Sequence, residues 1–162
     1  MSPGLRTTLY ATFVLGVLLG YLPWQALRLD TVVGESLGTI LTYTGALLFI
    51  VGALLSFSGA YYLVRRGEGT PLPLDPPQRM VVAGPYAYIQ HPIMLGVLTM
   101  AVGETLWFHS PSLGMYALLL AVLINLHVIY IEEPGLEKRF SEDYRAYRAA
   151  TPRWVPFRRS RP

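Results

Sequence analysis

Two short runs set acid–base side chains into an otherwise apolar chain: His91-Pro92 and Glu132-Glu133. An imidazole with a pair of carboxylates can hold a cation, orient a ligand or move a proton, and each effect strengthens away from water. Gln90, Glu104, Asn125 and His127 are further polar side chains on apolar segments. Each also has an ordinary reading. His91 before Pro92 can simply meet the membrane interface at a helix start. Glu132-Glu133 can be a stop signal, and Glu104, near Trp107, reads as interfacial. For Asn125 and His127 a core hydrogen bond is the expected role, with substrate contact the lesser reading. Polar groups at membrane depth are costly, however, so each is also a functional candidate. Carboxylates at a helix C-terminus oppose its macrodipole, so the acidic pair calls for a cation, either an arginine of the tail or a ligand.

The elements that must position these groups are membrane helices. Of 162 residues, 52% are hydrophobic and 14% charged, and the mean hydropathy is +0.40. No charge falls between Arg6 and Arg28, or between Glu35 and Arg65. Either gap exceeds the roughly 20 apolar residues that cross a bilayer. The absence of cysteine excludes disulfides, thiolate metal sites and a cysteine nucleophile. The net charge of +3 sits beside apolar stretches, which points to lipid head groups and topology rather than nucleic acid.

The expected fold is all-α: one polytopic membrane bundle of about four transmembrane helices and a C-terminal amphipathic helix. The spans are read at 7–27, 36–64, 86–108 and 112–131. The first is not read as a cleaved signal, because Leu22-Pro23-Trp24 is an interfacial ending. Gly45, Gly52 and Gly59 recur every seven residues in the second, a spacing for close helix packing. Between Gly67 and Pro77, four prolines and two further glycines break helix formation. The fourth span is expected to stop at Glu132-Glu133-Pro134. In the tail, Leu136, Phe140, Tyr144 and Tyr147 form one apolar stripe, suited to a helix on the membrane surface or folded over the bundle. Four spans put both termini on one side with every basic residue except Arg28, and that side is the cytoplasmic one by the positive-inside rule.

The order Gly84-Pro85-Tyr86-Ala87-Tyr88-Ile89-Gln90-His91-Pro92, Gly96, Glu132-Glu133, Phe140, Tyr144, Tyr147 and Pro152-Arg153-Trp154-Val155-Pro156 resembles the isoprenylcysteine carboxyl methyltransferase and phospholipid methyltransferase family of integral membrane enzymes. Gly67-Glu68-Gly69-Thr70-Pro71 and Pro76-Pro77 look like its bacterial members. The resemblance covers roughly 65–156. It implies a single membrane domain, with two spans in 1–64 and a cofactor-binding half in 65–162. The implied donor is S-adenosyl-L-methionine, bound at the cytoplasmic face, and the implied acceptor is lipophilic or small. By motif position the cofactor shell is Gln78, Arg79, Met80, Val81, Tyr86, His91, Pro92, Ile93, Met94 and Glu132. His91 and Glu133 are the candidate bases if the acceptor is an amine. Gln90 and Met94 stand where the family usually has arginine and often tyrosine. Val128 and Tyr130 stand where prenylcysteine enzymes carry an acceptor-binding arginine, which weighs against a prenylated cysteine as acceptor.

Two other readings fit part of the pattern. Steroid and sterol reductases share a similar His-Pro layout, but they usually continue Asn-Tyr and then Gly-Glu. Here Ile93-Met94-Leu95-Gly96-Val97 follows, without the glutamate, which counts against NADPH. A non-catalytic scaffold of the same fold is the third reading. Lys138 is the single lysine among thirteen basic residues, a composition expected of a GC-rich bacterial source and hence of a bacterial cytoplasmic membrane.

Overall fold

Lipid offers the backbone no hydrogen bonds, so an apolar chain must pair its own amides within helices. The computed structural model describes residues 9, 12–30, 38–68 and 77–155, which form helices and turns with no strand. The helices are α1 (Thr12–Leu27), α2 (Thr39–Gly67), α3 (Pro92–Trp107), α4 (Pro111–His127) and α5 (Glu133–Ala150). A wide π-turn, Val128–Glu132, joins α4 to α5 without a break in the helical path. Most of the Pro-rich segment, 69–76, lies outside the described residues.

Two helices are long and apolar enough to cross a membrane: α2 and the Pro111–Ala150 path, which is kinked within α5 at Ser141, where φ is 44°. That is fewer than the four expected. The other two, α1 and α3, are apolar but shorter. The 16 residues of α3 extend only about 24 Å at 1.5 Å per residue, short of a hydrocarbon core of about 30 Å. The expected start of the third span at 86 is too early. Gly84–Ala87 is a 3-10 turn, Gly84 holds a left-handed φ of 63°, and Pro92 opens the helix as its first residue.

The helix does not stop at Glu132-Glu133-Pro134 either. Pro134 falls in the first turn of α5, directly after the π-turn, where the Glu133 amide bonds back to the Val128 carbonyl. The widened turn accommodates a residue that has no amide to give and whose ring crowds the preceding turn. The same solution occurs in α1, where the π-turn Val17–Tyr21 directly precedes Leu22-Pro23.

The pair α2–α3 is the most intimate of the bundle. The Gly45, Gly52, Gly59 row meets Gly103 and Gly96 of α3: a Cβ at Gly45 would lie 2.6 Å from the Gly103 carbonyl, and one at Gly52 2.5 Å from that of Gly96. Side chains cannot fit there, so the backbones touch. Ser56 is buried in this seam and donates to the Ile93 carbonyl at 3.0 Å. On the other side, α3 packs on α4, and α1 also packs on α4. Val97, Met100, Ala101, Ala117, Leu120, Ile124 and Val128 form the buried core between α3 and α4.

The antiparallel path sorts charge to the two ends. At one end, Asp30 accepts from the hydroxyls of Ser110 and Ser112, tying the exit of α1 to the start of α4. Arg28 lies over the Trp24 ring there. Arg65 and Arg66 end α2 at the opposite end, where Arg79, the basic residues of α5 and Arg153 also lie.

Candidate functional site

At the basic end, the starts of α3 and α5 converge. His91 precedes Pro92 and is only 3% exposed, so it does not rest at the interface. Its Nδ1 lies 3.2 Å from Glu132 Oε1, and its Nε2 lies 3.7 Å from Glu133 Oε1. The Trp154 ring leans on the imidazole, 5.6 Å between centroids, and Trp154 Nε1 donates to Asn125 Oδ1 at 3.2 Å. Asn125 thus takes the core hydrogen bond expected of it.

The acidic pair divides its work. Glu133 turns inward to Arg153, which donates Nε to Oε1 at 2.5 Å and Nη2 to Oε2 at 3.0 Å. The expected cation is an arginine of the tail, but the helix runs on through the acidic pair, so the burial of Glu133, not a helix C-terminus, is what calls for it. Glu132 turns the other way, onto a cavity of about 360 Å³. Volumes of about 300–1,000 Å³ are usual for small-molecule sites.

The apolar stripe of α5 folds back over the bundle and covers this cavity: Leu136, Phe140, Tyr144 and Tyr147 all line it. Tyr147 is fixed by donating to the carbonyls of Tyr86 at 2.7 Å and Ile89 at 3.3 Å. Gln90 anchors the end of α5: its side-chain amide donates to the Thr151 carbonyl at 2.5 Å, and its backbone N–H donates to Pro152 at 3.0 Å. A neutral amide thus does a structural task in the place where arginine is usual in the resembling family. Burial is the chief cause that raises the phenols here above the ordinary tyrosine value. Tyr144 is pushed up to about 12, with Glu133 adding to the effect; Tyr86 is raised further, helped by Glu132, and Tyr147 is raised likewise, helped by Tyr144. All three remain neutral hydroxyls near neutral pH.

Of the residues singled out in the sequence, Arg79, Met80, Val81, Tyr86, His91, Ile93, Met94 and Glu132 line the cavity. Gln78 is exposed, and its backbone N–H donates to the Gly67 carbonyl at 2.8 Å. Pro92 is buried beneath Gly59 of α2, and Glu133 is held by Arg153 behind the wall. Glu104, read as interfacial, is buried at 6% exposure. His127, read as a core residue, is instead exposed and lines the cavity. Sequence reasoning missed Leu63, Ile131 and Arg139 as wall residues. Only the last had a signal, its place beside the stripe.

Four cavity-lining residues hold a buried polar atom with no hydrogen-bond partner: Gln90 Oε1, His91 Nε2, Glu132 Oε2 and Tyr144 OH. Such atoms cost free energy unless a ligand completes them. A helical membrane protein with a ligand-sized, part-polar cavity at its basic end is the class that fold and site define. The phospholipid methyltransferase family matches residues 40–143, and the chain belongs to that family. Comparison with curated proteins and with solved structures finds no match to either.

Proposed function

We propose that this protein transfers a methyl group from S-adenosyl-L-methionine to a lipid-soluble acceptor at the cytoplasmic face of the membrane. One observation carries the reading: the cavity beneath α5, with four unpaired buried polar atoms on a largely apolar wall. The donor has a sulfonium, an ammonium and a carboxylate, and the residues fit each. Glu132 and the Gln90 carbonyl oxygen offer acceptors to its cationic part. Arg79, Arg139 and the Tyr144 hydroxyl offer donors to its carboxylate. Tyr86, Phe140, Met80 and Val81 offer an apolar and aromatic wall for its adenine. Bound there, the donor would supply an electrophilic methyl group on sulfur.

The chain's own contribution is position and dryness. Glu132 is oriented by His91, His91 by Trp154, and the carboxylate behind them is neutralised by Arg153. The Leu136–Tyr147 stripe keeps water from the reacting centre, and holding two reactants in line removes much of the entropic part of the barrier. The charge distribution supports the cytoplasmic assignment: Arg65, Arg66, Arg79, Lys138, Arg139, Arg145, Arg148 and Arg153 lie at the cavity end, against Arg28 at the other.

Calorimetric titration of S-adenosyl-L-methionine into the purified protein in detergent tests this. Glu132→Gln is expected to weaken binding by roughly tenfold or more, the worth of one charge-assisted hydrogen bond. Absence of binding to the wild type, or equal affinity in Glu132→Gln and His91→Ala, sinks the assignment.

A further inference from the structure

Building on that reading, we infer that His127 is the residue that meets the methyl acceptor and takes its proton. The argument starts from the π-turn. In a regular α-helix, residues five apart point about 140° away from each other, so His127 and Glu132 would face different surroundings. The turn Val128–Glu132 closes from i to i+5, which brings residues five apart toward one face. Both side chains therefore line the same cavity. The distortion that accommodates Pro134 also delivers a second imidazole to the site.

The surroundings of His127 differ from those of His91. His91 has one nitrogen bonded to Glu132, the other facing Glu133, and Trp154 across its ring. It is 3% exposed, and its Nδ1 is committed to the Glu132 carboxylate on the donor side. His127 has no hydrogen-bond or ionic partner among the described residues and is exposed. It shares the cavity wall with the apolar side chains of Leu63 of α2, Met94 of α3 and Ile131 of the π-turn.

The placement defines the acceptor class. A carboxylate or thiolate arrives already ionised and has no use for a base. A neutral lipid amine or alcohol must shed a proton as it attacks. As its nitrogen or oxygen forms the bond to the methyl carbon, the carbon–sulfur bond breaks and its electron pair stays on sulfur. The N–H or O–H proton passes to an imidazole nitrogen of His127, which then returns it to water. A base at His127 therefore suits a membrane lipid with a protic head group.

The protein has three histidines, so the ring signals of ¹³C-histidine-labelled protein in micelles are assignable with His91→Gln, His109→Gln and His127→Gln variants. Phosphatidylethanolamine and diacylglycerol are the protic probes, and phosphatidylcholine of the same chains is the control. The inference expects the His127 ring to shift with at least one protic lipid and not with phosphatidylcholine. No shift with either probe, or an equal shift with phosphatidylcholine, overturns it. In a second arm, His127→Gln is titrated with S-adenosyl-L-methionine and assayed for methyl transfer to the probe that shifted the ring. Donor affinity within twofold of wild type, with transfer reduced about a hundredfold or more, is the expected pair, since a general base contributes about 10²–10⁴. Unchanged transfer overturns the inference. A wild type that binds no donor overturns the methyltransferase reading itself, and the lipid-induced shift, which needs no donor, keeps the two failures apart.

Discussion

Glu133 and Arg153, twenty residues apart in sequence, form a two-pronged ion pair that fastens the tail to the π-turn. Glu133 is nearly buried while Arg153 remains about a third exposed. Loss of one partner from a fully buried pair costs about 3–5 kcal/mol, and the exposure of Arg153 reduces this to about 2 kcal/mol. Arg153→Ala is therefore expected to lower the thermal midpoint in detergent. Glu133→Gln/Arg153→Ala should recover part of that loss, because no uncompensated buried carboxylate remains. A double variant as unstable as the sum of the two singles contradicts the pairing.

Glycine substitutions separate packing from propensity. Gly52→Ala and Gly96→Ala each drive a methyl group into the opposite backbone and are expected to destabilise by about 1–3 kcal/mol, as overpacking does. Gly16→Ala in α1 meets nothing within 4 Å and gains about 0.5–1 kcal/mol from helix propensity. Unfolding midpoints of the three variants should move in these opposite directions.

The far end supplies a pH dependence. The hydroxyl of Ser110, followed by that of Ser112, holds the Asp30 carboxyl below its ordinary value. A carboxyl depressed in the folded state stabilises above its unfolded value, near pH 3.8, and loses that contribution as the pH falls through the lower folded value. Thermal midpoints measured from pH 6 to pH 3 should therefore decline more steeply at the acid end for the wild type than for Asp30→Asn. Parallel curves rule the clamp out.

Tyr147 tests the cover. Tyr147→Phe removes the bonds to the Tyr86 and Ile89 carbonyls and is expected to cost about 1 kcal/mol per lost bond at most. Affinity for S-adenosyl-L-methionine should fall several-fold with it, while Tyr88→Phe, on an exposed ring, leaves both quantities unchanged.

Much of the site was legible because its signals are local. The stripe Leu136, Phe140, Tyr144, Tyr147 announces a covered face through spacing alone, and the glycine heptads announce a close seam. The acidic pair did find its cation in Arg153, although the helix end from which that partner was argued is absent. What stayed hidden depends on the helical turn changing pitch. Counting at 3.6 residues per turn puts His127 and Glu132 on different faces and makes Pro134 a terminator, and both readings fail at the same π-turn. The length of α3 was hidden for another reason: Tyr86 to Ile89 are as apolar as a span, and only Gly84-Pro85 and Pro92 show that the helix waits until residue 92. The partner of Gln90 lies about sixty residues away, beyond any local pattern.

The glycine seam has one more consequence, for traffic. With α2 and α3 in backbone contact along Gly45–Gly103 and Gly52–Gly96, the gap between them is narrower than a methyl group, and no acyl chain passes through that wall. A molecule arriving from the bilayer must therefore reach the cavity by another flank of the bundle.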